Sequence, residues 1–178
     1  MSPEIRRVAI FGVLAILLGG YAYVTTPEKK SIGKDNTKSD DRFVFEFSVD
    51  KVKQFDVVFE GMHLVCRRTP QGWVESSSEA PVRQDAVDDF LTNLLKLVNL
   101  GAVDVKTEEL SEFGLQPPVA RIMVEIEGGG TRILSLGKNN PVQTSLYAQI
   151  NENPQVVLVG SVITWDVRKL LTAAGLTG

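Results

Sequence analysis

The chain has 178 residues and a formal net charge of -3, with acidic and basic residues intermixed. That balance leaves no broad basic stripe, so nucleic-acid binding has no electrostatic footprint. One cysteine (Cys66) and one histidine (His63) exclude an internal disulfide and a multi-histidine metal site.

The first element is an uncharged apolar run, Val8 to Val24, preceded by Arg6 and Arg7. It reaches the lower end of the ~17 to 25 residues that a helix needs to cross a bilayer, and Tyr21 and Tyr23 close it like interfacial anchors. Gly20-Tyr21-Ala22 offers a signal-peptidase site as the rival reading, but the run is longer than the ~7 to 15 residues of a signal h-region. It is apolar around its whole circumference, unlike a core helix. The expectation is an uncleaved transmembrane anchor within residues 1–24, a single pass through a bacterial inner membrane. Lys29, Lys30, Lys34 and Lys38 follow the run, so cation counting alone gives no orientation. The very short arginine-bearing tail resembles a signal anchor, which places the N-terminus in the cytoplasm and the domain on the periplasmic or outer side.

Residues 25–41 carry Pro27, Gly33 and charges of both signs without hydrophobic periodicity, the pattern of a flexible linker. As a random coil it would reach on the order of 20 to 25 Å. Residues 42–178 then suffice for one domain with its own core.

Period-two alternation predicts strands at Phe43–Phe47, at Phe55–Phe59 and at Met62–Cys66, with Glu60-Gly61 as a hairpin turn. Thr69-Pro70-Gln71-Gly72 makes another turn before Trp73-Val74-Glu75. Cys66 alternates with polar neighbours and reads as a buried, inert thiol. Val87, Phe90, Leu91, Leu94, Leu97 and Val98 recur at helical spacing, with Asp85, Asp88 and Asp89 near the start and Gly101 as the stop. A shorter helix is expected over Glu108–Phe113, with Thr107 as N-cap, Gly114 as a left-handed end and Leu115 folding back on Leu110.

The second half repeats this plan. Ala120–Ile126 alternates, Gly128-Gly129-Gly130 turns the chain and Ile133–Leu136 returns. Leu146–Ile150 and Val156–Val159 form a hairpin, and Ser161 caps a last helix whose Ile163, Val167, Leu170, Leu171 and Ala174 share a face closed by Gly175. Strands grouped together with helices on one face make an α+β fold of antiparallel meanders. Both halves read as strands followed by a helix, which makes a distant duplication conceivable, although no residue-level repeat supports it.

No residue pattern points to catalysis, a cofactor or a metal. Gly137-Lys138-Asn139 lacks the glycine and the Ser or Thr of a phosphate loop, and the Gly128–Gly130 run lies between strands where no helix N-terminus receives a phosphate. His63 alternates like a strand residue without triad partners. Glu108-Glu109 fits a helix start and Asp40-Asp41 a solvated linker. Trp73 and Trp165 read as core or domain-face aromatics.

Glu112-Phe113-Gly114-Leu115-Gln116-Pro117-Pro118, with Gly72-Trp73-Val74, Leu136-Gly137, Leu146-Tyr147-Ala148 and Val156-Val157-Leu158-Val159, resembles the bacterial family called domain of unknown function 4340. The similarity spans roughly Phe43 to Leu171, and the anchor ending Gly-Gly-Tyr is also similar; Phe113 stands where a tyrosine is more usual. The resemblance carries over no catalytic residues. It implies a membrane-anchored envelope protein, of a kind found beside ABC-type transporter components and gliding-motility systems. The expectation is a non-enzymatic accessory module that binds an envelope protein; the alternatives are a solute- or lipid-binding module and a hydrolase built around His63.

Overall fold

A central seam of two antiparallel strands organises the domain. In the computed structural model, which describes residues 43–176, β1 (Val52–Phe59) pairs with β6 (Ala120–Ile126) in a register that sets Val57 opposite Ile122 and Phe59 opposite Ala120. From β1 the chain runs outward through β2 (Met62–Thr69), β3 (Gly72–Glu75) and β4 (Pro81–Val82). From β6 it runs outward on the other side through β7 (Gly130–Asn139), β8 (Ser145–Ile150) and β9 (Val156–Gly160). Each meander is followed by a twelve-residue helix, α1 (Gln84–Leu95) after β4 and α2 (Val162–Ala173) after β9. β5 (Asn99–Val103), reached from α1, adds to the edge at β9, so the sheet order is β4-β3-β2-β1-β6-β7-β8-β9-β5. The fold is thus α+β, with one large antiparallel sheet and two helices.

Alternation along the strands explains the layering. Phe55, Val57, Phe59, Leu64, Cys66, Ile122, Val124, Leu134, Leu136, Ala148 and Val157 point to one face. There they join Phe90, Leu91 and Leu94 of α1 and Ile163, Val167, Leu170 and Leu171 of α2 in one core. Phe55 stacks at tilted angles on Trp73 (5.2 Å) and Phe90 (5.6 Å), linking sheet and helix. The β1–β2 turn has positive φ at both Glu60 (50°) and Gly61 (79°), as a tight two-residue hairpin requires.

The opposite face of the sheet has no α-helix packed on it among the described residues. Part of it is crossed by the connection from β5 to β6. That segment lies on β7 and β8, where the Phe113 carbonyl accepts from Lys138 N–H (2.8 Å) and the Phe113 ring meets Tyr147 edge-on at 4.7 Å. Gly137 is the reason the approach is possible. A Cβ there would lie 2.2 Å from the Phe113 carbonyl oxygen, so only glycine fits.

Several sequence expectations are corrected. Phe43–Phe47 is no strand: Phe43 makes an isolated bridge to Val98 and Val44 N–H donates to the Leu97 carbonyl. Val44 and Phe45 are buried in succession, which an alternating strand would not allow. The first helix stops at Leu95 and does not reach Gly101; Leu97 and Val98 lead into β5, where Gly101 has φ +136° beside a register shift. Asp85 alone of its three aspartates sits in the first turn; Asp88 accepts from the Gln84 amide and Asp89 pairs with Lys169. The expected helix Glu108–Phe113 is a 3₁₀ turn, Thr107–Glu109, with Lys106 and not Thr107 at the N-cap position. The turn that follows it closes at Gly114, as expected. Gly114 has φ +69°, Leu115 N–H reaches the Leu110 carbonyl (2.9 Å) and Gly114 N–H the Ser111 carbonyl (3.1 Å), the two bonds of a Schellman end. Gly175 closes α2 with the same pair, from Leu176 to Leu171 and from Gly175 to Thr172. Ser161 holds the N-cap position of α2 but makes no capping bond, since its hydroxyl donates to the Thr144 carbonyl (3.2 Å).

The run Val8–Val24 and the linker 25–41 lie outside the described residues. No helix among those described is long and apolar enough to cross a membrane.

Candidate functional site

Where α1 ends, β5 begins and α2 starts, three elements leave a hollow of about 330 Å³. Its walls include Leu97, Val98 and Leu100 from the α1–β5 passage and Val162 and Ile163 from the first turn of α2. Two of its lining side chains are large, apolar and exposed, Leu100 at 56% and Val162 at 68%, and Trp165, 64% exposed, stands one turn along α2 from Val162. Val162, Trp165 and Lys169 stand at i, i+3 and i+7 and so form one outward stripe of α2, while Ile163, Val167, Leu170 and Leu171 face the core. Lys169 lies 5.9 Å from the Trp165 ring centre and donates to Asp89 of α1 at 2.7 Å, which holds the helices together beside the tryptophan. A second hollow, about 380 Å³ and lined by Arg83, Ala86, Trp165, Lys169, Thr172 and Ala173, opens on the other flank of Trp165.

Inside the first hollow sits a charge. Asp166 is 6% exposed, and one carboxylate oxygen accepts from the Asn93 amide of α1 at 3.0 Å. Burial pushes its pKa above the ordinary 3.8; the Asn93 hydrogen bond and the nearby Lys169 charge act in the opposite direction, and Asp89 adds to the rise. No salt bridge reaches Asp166 among the described residues. Sequence reading passed over this residue. The signal was nevertheless present, because Asp166 falls at i+3 from Ile163 on the buried side of an amphipathic helix, where an apolar residue is the rule.

The residues weighed for chemistry are dispersed. His63 is on the uncovered face of the sheet, exposed, with its Nε2 3.1 Å from Asp56 of the neighbouring strand. Lys138 of the glycine-lysine pair, in β7, donates through Nζ to the Glu112 carbonyl (3.0 Å) of the connection from β5 to β6. Glu109 accepts from Lys106 N–H (3.2 Å) at the 3₁₀ turn. Among the described residues no three His, Cys, Asp or Glu side chains converge as a metal set. Cys66 is fully buried, and burial first, with the Glu75 charge second, pushes its thiol up to about 12. Trp73 is core and Trp165 is surface.

Comparison with known proteins returns one match. The family described as domain of unknown function (DUF4340) matches residues 73–166. No curated protein and no solved structure matches the chain. The matched span, more than half of the chain, opens at the core tryptophan of β3 and closes at the buried aspartate of α2. The chain belongs to the DUF4340 family.

Proposed function

We propose that the protein is a single-pass, membrane-anchored envelope protein whose domain binds another envelope protein as a non-enzymatic accessory module, in a transporter or an envelope assembly complex. The apolar run Val8–Val24 and the polar linker behind it support the anchor, with the domain on the periplasmic or outer side. The observation that carries the interaction role is the patch formed by Leu100, Val162 and Trp165. Three large apolar side chains more than half exposed, Leu100 and Val162 lining the hollow and Trp165 one turn along α2 from Val162, are what a protein-binding surface presents, and tryptophan is enriched among the residues that dominate binding energy.

The test places a photo-crosslinking amino acid at Leu100 or at Trp165 in the full-length protein in cells, with the same probe at Glu125 on the far side of the sheet as control. A discrete adduct with one envelope protein from both patch positions, and none from Glu125, is the expected result. Adducts of equal pattern from all three positions overturn the reading. A second reading, a solute- or lipid-binding module, is favoured by the apolar walls of the 330 Å³ hollow, whose size falls within the range of ligand pockets. Mass spectrometry of lipids and solutes released from the protein purified with its membrane separates the two.

A further inference from the structure

We propose that the hollow between α1, β5 and α2 receives a lysine or arginine side chain of the partner protein, its aliphatic stem against Leu97, Val98, Leu100 and Val162 and its cationic head at Asp166. The proposal rests on the interaction role given above and adds the chemistry that the partner must present.

Three features of the site lead there. A carboxylate taken out of water is costly unless it is paired, and Asp166 has only a neutral amide, on one oxygen. The cations nearby are otherwise placed. Lys169 is engaged by Asp89, and Lys96, although it contributes to the walls of the hollow, is exposed and makes no ion pair with Asp166. The carboxylate of the hollow therefore has no ion-pair partner among the described residues, and Lys169 acts on it only from a distance. The approach to it is apolar, which disfavours a bare hydrated ion and suits a group with a hydrocarbon stem and a charged tip, the construction of lysine and arginine. An exposed apolar rim must also be covered when the site is filled. A side chain arriving on a protein surface covers it, whereas a small free cation leaves Leu100 and Val162 in water.

The hollow also has the right scale. About 330 Å³ admits one long side chain and excludes a folded element, so the partner inserts a single residue and lays its remaining contact on Val162 and Trp165. Asn93, whose amide is already donated to Asp166, fixes the carboxylate in place before the cation arrives.

The test uses n-butylammonium as a lysine side-chain mimic and n-butanol as its uncharged counterpart, titrated into the full-length protein in lipid nanodiscs. Methyl resonances of Leu97, Val98, Leu100, Val162 and Ile163 report occupancy. Butylammonium is expected to bind about tenfold more tightly than butanol, and Asp166→Asn to bring the two to equal affinity. Equal binding of the two probes by the parent protein, an unchanged preference in Asp166→Asn, or no response to either probe overturns the proposal. Should Asp166→Asn fail to fold, the comparison of the two probes on the parent decides alone. Because neither probe involves the partner, a negative result leaves the crosslinking test of the interaction patch standing, and the two readings fail separately.

Discussion

Two glycines show how differently a missing side chain can act. At Gly114 the requirement is the backbone angle: φ +69° closes the turn over 110–113 that follows the 3₁₀ turn, and a Cβ would meet mainly the flexible Lys138 side chain, with Cγ at 2.8 Å. At Gly137 the requirement is space, since the obstructing atom 2.2 Å away is a backbone carbonyl oxygen held by its own hydrogen bond from Lys138 N–H. Gly114→Val should cost about 1 to 3 kcal/mol, and Gly137→Ala about 3 kcal/mol or more because the 113–115 segment must lift from the sheet. Denaturant melts of the two variants give the ranking, and Gly137→Ala melting like the parent would refute the packing account. Cys66 makes a second test at this scale. With no exposure and a thiol pushed up to about 12, it should resist maleimide at pH 8 in the folded protein and react within minutes once denatured. Of these residues, sequence revealed Gly114 and Cys66 through local patterns. Gly137 was legible only as a strand end and as the start of a phosphate-loop pattern that fails, because what demands glycine there is a segment more than twenty residues earlier in the chain.

Among the elements, the strands and both helices were readable where apolar residues recurred with a sustained period, and misread where the run was short. Leu97 and Val98 continue the helical spacing of α1 yet belong to the passage into β5, since two apolar residues fit either period. The candidate site grows out of that passage, so the error at the end of α1 hid the place where β5, α1 and α2 converge. Asp166 carries the testable consequence. Its folded-state pKa lies above the ordinary 3.8, so the folded protein holds its proton to higher pH than the unfolded chain does. Stability then falls as pH rises from about 4 through the raised value and stays reduced at neutral pH. Asp166→Asn keeps an oxygen for the Asn93 amide and removes the charge; it should raise the melting temperature of the intact protein at pH 7 and leave it unchanged near pH 3. A lower melting temperature at pH 7 would mean that the charge stabilises the fold and that its burial needs another explanation. Stabilisation by this substitution is what a site kept for binding at some expense of stability predicts.

At the scale of the molecule, the two meanders leave the β1–β6 seam in opposite directions and each delivers a helix, and the helices pack against each other and share the core on one face of the sheet. The repetition noted in the sequence is therefore a repetition of topology, with β5 as the departure from it. It decides how the protein should unfold. If each meander with its helix were a self-sufficient unit, the halves would melt apart; but the core is one cluster and α1 bears on both the sheet and α2, so they should melt together. Val57 and Ile122 face each other across the seam and neither is exposed at all. Ile122→Ala removes buried volume at this junction and should cost about 2 to 5 kcal/mol, a large share of the roughly 5 to 15 kcal/mol that holds a domain of this size together. In a Trp165→Phe background, Trp73 alone reports the first meander by fluorescence, while methyl signals of Leu134 and Ala148 report the second. Both probes should shift to the same lower midpoint in Ile122→Ala, because the defect lies on the surface the halves share. Were Trp73 to keep its midpoint while the second meander alone melted early, the seam would be a contact between two independent units, and the single core described above would be the wrong account of what keeps α1 and α2 positioned around the candidate site.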